Sequence, residues 1–470
     1  MCNDHKYNRR RFLGTASCAA IGSTTFFSTL FNLGMANEAA GRAVASAYNS
    51  SNNYKALVCI LFAGGNDSFN MLVPNDTSAY NAYSATRSNQ ALAKNSLLGL
   101  NHLAGGLPGL GVHPSMPEVQ QLYNSGNLAF ISNVGTLVEP TNKTQFENGS
   151  VSLPLGLFSH ADQIQQWQTS VPHTRSSSGW GGRMSDILQS MNNNQNISMN
   201  ISLSGRNIFQ SGNQSSEYTI NPSGTGSIGI EGYKGDSALD MIRTTAVDNL
   251  LEDQYVDIFK KTYADVTRNA QSSHEQFSSA IGGVNLNTTF STSRLSQSMQ
   301  MVAKTIAARN TLDVCRQTFF ITFGGWDHHD ELLNNQAGML TVVSKALSEF
   351  NTAMTELGVN DNVTTFTISD FARTLTSNGN GTDHAWGGNV MVMGGKVNGG
   401  RTYGSYPNLA LNSNLDVGNG VLIPTLSTDE YFAELAQWYG VSNTEINNIF
   451  PNLTNFYTVG GQPPIGFMNT

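Results

Sequence analysis

The sequence predicts an α/β fold: a doubly wound, mostly parallel sheet with helices on both faces and a helical or loop insertion. Residues 56–63, residues 317–323 and the segment that starts at Val363 are largely apolar on both faces, which is typical of parallel strands buried between helices. Between the second and third of these strands, residues 331–358 have the apolar spacing of a helix that ends at Gly358. Strand, helix and strand together predict a βαβ unit with a right-handed crossover.

Residues 55–470 are predicted to form one α/β domain, because 470 residues with 39% hydrophobic side chains can bury a large core. Residues 185–230 are rich in Asn, Ser and Gly and predict loops with short peripheral strands, whereas residues 236–310 contain helical patterns. We therefore expect residues 185–310 to form an insertion or cap on the α/β core. A Ser/Asn-rich spacer, residues 41–54, precedes the domain.

Residues 1–40 are typical of a twin-arginine export signal. Arg9 and Arg10 form the arginine pair, a moderately apolar stretch follows, and a small-residue exit lies near residues 35–40. Such a signal predicts that the twin-arginine export machinery carries the folded protein to the periplasm or the cell exterior. The alternative is an amphipathic helix that belongs to the folded domain.

Charge and hydropathy argue against two classes of partner. The net charge is −8 and the 25 Lys and Arg residues are spread thinly, so the chain lacks the clustered basic face that nucleic-acid binding requires. No segment after the signal has 18 uninterrupted apolar residues, so the mature protein is not expected to span a membrane. Cys59 and Cys315 lie in or beside apolar strands and fit either two buried thiols or one disulfide.

Acidic and imidazole side chains follow the predicted strands at the points where the strands end. Residues beyond the carboxyl ends of a doubly wound sheet converge on one ligand-binding edge. Such donors suit one or two divalent ions of Zn, Mn, Mg or Ca, and two ions can clamp both oxygens of a displacement at phosphorus or sulfur. A single Asp at a strand end fits a helix cap or a turn equally well. The predicted metal ligands are Asp67, Asp327, His329, Asp370, Asp383 and His384.

The run Asp-His-His-Asp at residues 327–330 also contains two residues for which we expect other roles. His328 is predicted to lie behind the ligands or to face a substrate. Asp330 is predicted to be the N-cap of the helix that begins near Glu331.

Ser159 and His160 precede a helical pattern and supply a candidate nucleophile. A hydroxyl at a helix N-terminus is well placed for an incoming anion, and coordination to a cation lowers its pKa. Ser159 fits the N-cap of that helix equally well. His160 and Arg373 are expected to orient the anion, although Arg373 could instead pair with a core carboxylate.

Between Lys55 and Asn408 the chain contains, in order, the motifs GGNDSFNMLVPND, VHPSMPEVQQLYNSGNLAFISNVG, FSHADQ, SGWGGR, GGWDHH, SDFARTLTSNGNGTDHAWGG and GGKVNGGRTYG. As a set they resemble a large family of exported bacterial proteins that carry twin-arginine signals. That family is grouped with the alkaline phosphatase and sulfatase superfamily. The resemblance implies an alkaline-phosphatase-like core.

The resemblance also implies two metal sites. Asp67 would bind one ion together with the nucleophile, which would be Ser159. Asp327 and His329 would bind the second ion. FSHADQ resembles the serine loops of phosphatases only loosely.

A departure from the superfamily pattern lies at the third strand end. Asp370 and His384 resemble further metal ligands of the superfamily, which often has a histidine directly after that Asp. Phe371 stands in this position here. The resemblance therefore implies that His160 or Asp383 supplies the missing ligand.

The sequence thus predicts an exported metal-dependent hydrolase of phosphate or sulfate esters. The expected substrate is a small anionic ester or a sulfated or phosphorylated glycan. Phe371 favours an alternative, an envelope protein that binds or assembles other components and retains the fold with a structural metal.

Overall fold

The structure, a computed structural model, describes residues 54–103 and 109–469. The predicted export signal at residues 1–40 lies outside the described residues, as does nearly all of the predicted spacer at residues 41–54.

The strands are β1 (Lys55–Ala63), β2 (Leu72–Pro74), β3 (Leu98–Gly99), β4 (Leu110–Val112), β5 (Leu128–Gly135), β6 (Asn200–Ser202), β7 (Tyr218–Thr219), β8 (Arg316–Gly324), β9 (Val363–Ser369), β10 (Gly388–Met393), β11 (Thr402–Tyr403) and β12 (Leu426–Ser427).

The α-helices are α1 (Ser68–Met71), α2 (Thr77–Arg87), α3 (Pro117–Asn124), α4 (Lys143–Asn148), α5 (His160–Thr169), α6 (Trp180–Leu188), α7 (Ala238–Glu252), α8 (Ile258–Gly282), α9 (Arg294–Ala307), α10 (Leu332–Glu356), α11 (Thr428–Tyr439) and α12 (Ile446–Ile449).

The main sheet has nine strands within the described residues, in the order β11-β5-β10-β9-β1-β8-β6-β7, and β12 also pairs with β5. β1 is central and runs parallel to β8 on one side and to β9 on the other. β6 and β7 continue the parallel half, whereas β10 is antiparallel to both β9 and β5. This mixed, mostly parallel sheet confirms the predicted fold class.

The predicted strand, helix and strand are present as β8, α10 and β9. β8 and β9 do not pair with each other, because β1 lies between them and pairs with both. The predicted βαβ unit therefore spans one intervening strand. The chain leaves α10 through Gly358, which has φ +65° and whose N–H donates to Thr355 O, as a helix C-terminus requires.

Two hydrophobic cores cover the two faces of the sheet. Val58 and Ile60 of β1 pack in the core that contains residues of α9 and α10, while Leu57 and Cys59 pack in the core with α6 and α11. Each of these four side chains has no exposed surface. A strand buried on both faces has no polar alternation, which explains the continuous apolar run in the sequence.

Cys59 and Cys315 are free thiols in this structure, so the disulfide that the sequence left open is not formed. Cys315 O accepts from Lys55 N, which places it beside the first residue of β1. Cys59 lies four residues farther along that strand, about 13 Å away at the usual rise per residue. That separation exceeds the Cα distance of about 7 Å that a disulfide can bridge.

Part of the segment 185–310 extends the main sheet, and part of it forms helices outside the sheet. β6 and β7 add two strands beside β8, and α9 is largely buried in one of the two cores. α7 and the first half of α8 carry mostly exposed side chains. None of the helices in the described ranges is long and apolar enough to cross a membrane.

Candidate metal centre

The carboxyl ends of the three central strands bring the candidate residues to one edge of the sheet. Ala63 at the end of β1 pairs with Gly324 of β8. Phe62, the residue before Ala63, pairs with Ser369 at the end of β9. Because β10 is antiparallel to β9, the loop before it lies at the same edge. Asp327, Asp370 and His384 therefore meet, although they follow or precede three different strands.

The two glycines after β1 allow this close approach. A Cβ on Gly64, which has φ +120°, would lie 2.5 Å from Asp327 N, and a Cβ on Gly65 would lie 2.6 Å from the Phe371 ring. Gly64 N also donates to Asp370 Oδ1 over 3.1 Å. A larger residue at Gly64 would push the loop after β8 away from the strand ends, and one at Gly65 would displace Phe371, which follows β9.

Three histidines surround the carboxylate of Asp327. His329 Nε2 lies 3.0 Å from Asp327 Oδ1, and His384 Nε2 lies 3.4 Å from the same oxygen. His160 Nε2 lies 3.5 Å from the other oxygen, Oδ2. The histidines come from the loop after β8, the loop before β10 and the first residue of α5, so only the folded chain brings them together.

The Nδ1 atoms of the same histidines point outward to acceptors. His160 Nδ1 lies 2.6 Å from Asp370 Oδ2, and His329 Nδ1 lies 3.2 Å from Asp383 Oδ1. A carboxylate only accepts hydrogen bonds, so each of these Nδ1 atoms is a donor, and each Nε2 lies on the side of the ring that faces Asp327. Carboxylates that orient histidines in this way are typical of metal sites.

His384 has the same orientation through a different acceptor. Its Nδ1 donates to the carbonyl oxygen of Phe158 over 2.8 Å, which leaves Nε2 as the lone-pair nitrogen. Burial lowers the pKa of His384 and so keeps the ring neutral. Its Nε2 lies only 3.1 Å from His329 Nε2, a separation at which a proton or a cation can be shared between the two nitrogens.

These distances describe a group that could hold a metal ion. One ligand atom each from His160, Asp327 and His384 lies within 4.8 Å of the other two. His329 Nε2, next to both Asp327 and His384, adds a fourth donor to the same group. Neutral imidazole nitrogens and one carboxylate are the ligand types that zinc and similar ions bind.

Arg373 binds the carboxylate of Asp327 from the buried side of the group. It has no exposed surface, and its Nη1 donates to Asp327 Oδ1 over 2.6 Å while its Nη2 donates to Thr382 O. Burial raises the pKa of Asp327, but Arg373, through its hydrogen bond and charge, together with His329 and His160 outweighs this effect, so the pKa lies below its usual value. Arg373 thus pairs with a carboxylate in this structure, and its predicted role in orienting an anion stays a prediction.

Residues 54–429 match a family described as Protein of unknown function (DUF1501). The chain belongs to the DUF1501 family. All the residues of the group around Asp327 lie inside the matched segment. No curated protein matches the sequence.

The DUF1501 chain also resembles solved structures at low identity. It aligns with Ps i-CgsB in complex with k-i-k-neocarrahexaose at 10% identity and a TM-score of 0.34, covering 86% of this chain and 77% of that one. PsFucS1 sulfatase from Pseudoalteromonas sp. aligns at 12% identity and 0.33, covering 87% and 72%. A mutant of alkaline phosphatase PafA aligns at 11% identity and 0.25, covering 69% and 64%. A sulfatase and an alkaline phosphatase are thus among its structural neighbours.

Asp67 of the DUF1501 chain lies apart from the group around Asp327. Its Oδ2 pairs with Arg87, and both side chains are fully buried. Its main-chain oxygen accepts from Gln336 Nε2 over 2.6 Å. The expected sharing of a metal ion between Asp67 and Ser159 therefore has a competing partner in Arg87, which already supplies a positive charge.

Ser159 is the N-cap of α5. Its Oγ accepts from Asp162 N over 3.4 Å, a long and therefore weak bond. The hydroxyl immediately precedes His160, the first residue of the helix. The N-cap role that the sequence allowed is present, and a role as nucleophile remains a proposal.

Phe371 is buried against two of the histidines. Its ring centroid lies 4.8 Å from that of His160 and 4.5 Å from that of His384. The ring therefore closes one side of the group with an apolar surface. Asp370, behind it, has no exposed surface, and burial raises its pKa although the hydrogen bond with His160 offsets part of that effect.

The prediction that Asp330 is a helix N-cap is wrong. α10 begins at Leu332 and its N-cap is Glu331, which has φ +51° and makes no side-chain capping bond. The carboxylate of Asp330 instead accepts from Asn380 Nδ2 in the loop before β10. His328, next to it, is buried, and neither ring nitrogen has a hydrogen-bond partner within the described residues.

Sequence reasoning did not identify Arg87 and assigned His160 chiefly to the substrate. Arg87 is the last residue of α2. That helix contains no glycine, acidic residue or histidine that would have marked Arg87 as a candidate site residue. His160 did have a signal, because it stands at the start of a helix within the FSHADQ motif. Its pairing with Asp370, 210 residues away, is visible only in the folded chain.

Proposed function

We propose that the protein is a metal-dependent hydrolase of phosphate or sulfate esters with one divalent ion bound by His160, Asp327 and His384. The observation that carries the proposal is the convergence of three Nε2 atoms on one carboxylate, with each Nδ1 held outward. This arrangement supports a cation at the centre, because imidazole nitrogens and carboxylate oxygens that converge on one point are the usual ligands of zinc-type ions.

The proposed ion is of the zinc type rather than magnesium or calcium. Mg²⁺ and Ca²⁺ take mainly oxygen ligands, whereas the proposed ligands are two imidazoles and a single carboxylate, with the imidazole of His329 beside them. We also propose one ion rather than two. Asp67, which a second ion would need, is paired with Arg87 in a buried position.

When bound, the ion would supply a positive charge for the developing negative charge on the ester oxygens. Asp370 holds the Nδ1 proton of His160, so that His160 keeps one ring orientation. Arg373 fixes Asp327 Oδ1 and leaves Oδ2 directed at His160. His329, whose side chain is 44% exposed, lies at the open side of the group, where an ester can enter.

Ser159 is the proposed nucleophile. Its hydroxyl is half-buried at the N-terminus of α5, where the free N–H groups and the helix dipole favour an anion. The weak capping bond costs little to break when an ester group arrives. A water molecule is the competing nucleophile, and the Ser159→Ala variant separates the two.

The substrate class and the location follow from charge and from the N-terminal signal. We propose a small anionic ester or a sulfated or phosphorylated glycan, met in the periplasm or outside the cell after export through the twin-arginine machinery. The Arg9 and Arg10 pair supports the location, and the proposed metal centre, which would bind an anionic group, supports the substrate class. Neither nucleic acid nor a membrane span enters this proposal.

A non-catalytic envelope protein with a structural ion is the second candidate. It is favoured by the state of Arg373, whose guanidinium donates to Asp327, Thr382 and Gly64 instead of facing solvent. In that case the group around Asp327 would stabilise the strand ends rather than bind an ester.

Metal analysis combined with turnover tests the proposal. Purified protein is analysed for bound metal and assayed with an aryl phosphate and an aryl sulfate, as wild type and as Ser159→Ala and Asp327→Asn. We expect about one ion per chain, lost in Asp327→Asn but retained in Asp236→Asn, a matched control at an exposed aspartate. Bound metal without turnover would support the structural role, and absence of metal would contradict both candidates. Full activity in Ser159→Ala would assign the attack to water.

A further inference from the structure

Helix α8 carries one apolar or small-residue stripe along most of its length. Its members are spaced alternately by four and three residues, which places them on a single face in the pattern of a coiled-coil seam. The stripe consists of Phe259, Tyr263, Val266, Ala270, Ser273, Phe277 and Ala280.

The protein covers only the C-terminal half of this stripe. Ser273, Phe277 and Ala280 are buried, and the last two belong to the core that contains α9. In the N-terminal half, Phe259 is 82% exposed and Tyr263 is 75% exposed. When one helix face is buried in the core at one end and exposed at the other, the exposed apolar part indicates a binding partner that is absent from the structure.

The uncovered half has no partner within the described residues, because α7 packs on another face of α8. Arg268 donates to Leu251 O at the end of α7, and Ala264 is buried on that side. At 100° per residue, Ala264 and Arg268 lie well away from the direction of Tyr263 and Val266. In the α7–α8 hairpin, the uncovered half of the stripe therefore faces solvent.

The uncovered half is complementary to itself in an antiparallel arrangement. When two copies of residues 259–270 lie side by side in opposite directions, Phe259 faces Ala270 of the second copy. Tyr263 then faces Val266 of the second copy. Each large ring meets a smaller side chain, which is how facing positions interdigitate in a packed seam.

The residues that flank the stripe also fit a second copy. They are Lys260, Thr262, Thr267 and Asn269, of which only Lys260 is charged. In the antiparallel arrangement Lys260 lies near Thr267 of the second copy, so no like charges oppose each other. An anionic lipid surface fits poorly, because residues 236–282 contain eight Asp or Glu and four Lys or Arg.

The core of the protein selects the antiparallel direction. From Ser273 onward, the stripe face of α8 is covered by the core of its own chain. If the two α8 helices paired in parallel, the core of each copy would lie between the helices at the same end of the pair, and the two cores would collide. Two antiparallel helices place the cores at opposite ends of the paired segment.

We propose that residues 259–270 of α8 pair antiparallel with the same residues of a second copy, which makes the protein a homodimer. The paired segment is about 18 Å long at the helical rise per residue, so the interface is small. Interfaces at the low end of the size range are reversible. We therefore expect a dimer whose fraction increases with protein concentration.

Sedimentation of the full-length chain over a range of concentrations tests the pairing. The wild type is expected to approach twice the monomer mass, and Phe259→Ala and Ala270→Phe are each expected to weaken the dimer at least tenfold. The double variant with both changes exchanges the large and small partners and is expected to restore the dimer. Ser272→Phe, on an exposed position of the same helix outside the stripe, is the matched control and should behave as the wild type.

Three results would overturn the proposal: a wild type that is monomeric throughout, a double variant as weak as the single variants, and a control as weak as Ala270→Phe. Hydrogen exchange separates a second copy from a segment of the same chain. Protection of residues 259–270 should increase with protein concentration, and protection that is constant at all concentrations would assign the covering segment to the same chain. Circular dichroism of each variant verifies that the fold is retained.

Discussion

Arg373 Nη1 donates to Asp327 Oδ1 over 2.6 Å, and this bond joins a side chain without exposed surface to one that is 43% exposed. The guanidinium also donates to Thr382 O in the loop before β10 and to Gly64 O after β1. One buried cation thus ties together the loops that follow or precede three strands. The position of Asp327 depends on the fork shape of the arginine as well as on its charge.

Arg373→Lys should therefore lower the free energy of unfolding although it keeps the charge. A lysine ammonium cannot reach both Asp327 and Thr382 O, so a buried acceptor loses its donor at a cost of about 1–3 kcal/mol. Urea unfolding measures the change. Arg175→Lys, at an arginine that is 68% exposed and paired with Asp162, is the control and should change the value by less than about 0.5 kcal/mol.

Zinc should stabilise the protein, whereas magnesium and calcium should not. An ion that binds only the folded state raises the melting temperature, and the imidazole-rich group around Asp327 favours zinc-type ions. Thermal unfolding is measured with each ion after chelator treatment. His384→Ala should abolish the zinc effect, and His173→Ala, at an exposed histidine outside the group, should retain it. Equal stabilisation by magnesium would contradict the donor set that we propose.

Asp370→Asn should weaken metal binding without directly removing a ligand. Asp370 accepts from His160 Nδ1 over 2.6 Å, and loss of its charge makes His160 a poorer donor to the ion. We expect a loss of about 10–100-fold in affinity, measured by competition with a chelating dye. Asp330→Asn is the control on a neighbouring loop, since Asp330 contacts Asn380 and not the histidines. An unchanged affinity in Asp370→Asn would show that Asp370 does not tune the ligand.

The strands and the candidate edge could be predicted from the sequence because their signals are local. A run such as residues 56–63 is apolar on both faces only where helices cover both sides, and a strand end is marked by the glycines and polar residues that follow. No local sequence pattern indicates that β1 lies between β8 and β9 in the sheet. Register between strands depends on side chains more than 250 residues apart, as in the pairing of Ala63 with Gly324.

The partners of the site residues could not be predicted, since they depend on where loops meet. Asp330 has the sequence context of a helix cap, but Asn380 binds its carboxylate and the helix begins without it. Asp67 has the context of a metal ligand, but Arg87 of α2 occupies its Oδ2. For Asp330 the helix boundary contradicts the capping role, whereas for Asp67 the pairing with Arg87 competes with a metal-ligand role that stays a prediction.

Arg87→Met should be strongly destabilising because it leaves the Asp67 carboxylate buried without a counter-charge. Removal of one partner of a buried ion pair costs about 3–5 kcal/mol. The double variant Asp67→Asn with Arg87→Met removes both charges and should recover most of that loss in urea unfolding. Lys234→Met, at a lysine that is 58% exposed and paired with the 42% exposed Glu275, is the control and should have little effect. A double variant as unstable as Arg87→Met alone would mean that Arg87 acts through its other bond, to Thr374 O.

Asp429→Asn should stabilise the protein by an amount that grows with pH. Burial raises the pKa of Asp429 from 3.8 to about 8, and Ser170 and Arg183 offset only part of that effect. Between these two values the folded state holds a proton that the unfolded chain has lost, so the stability of the wild type falls as pH rises. Asparagine keeps the neutral form throughout, and its advantage should grow by at most about 1.4 kcal/mol per pH unit in this window. Urea unfolding at pH 5 and pH 8 measures the difference, with Asp236→Asn as the pH-independent control at an exposed position. An advantage that is equal at both pH values would mean that Asp429 is ionised in the folded protein throughout this range.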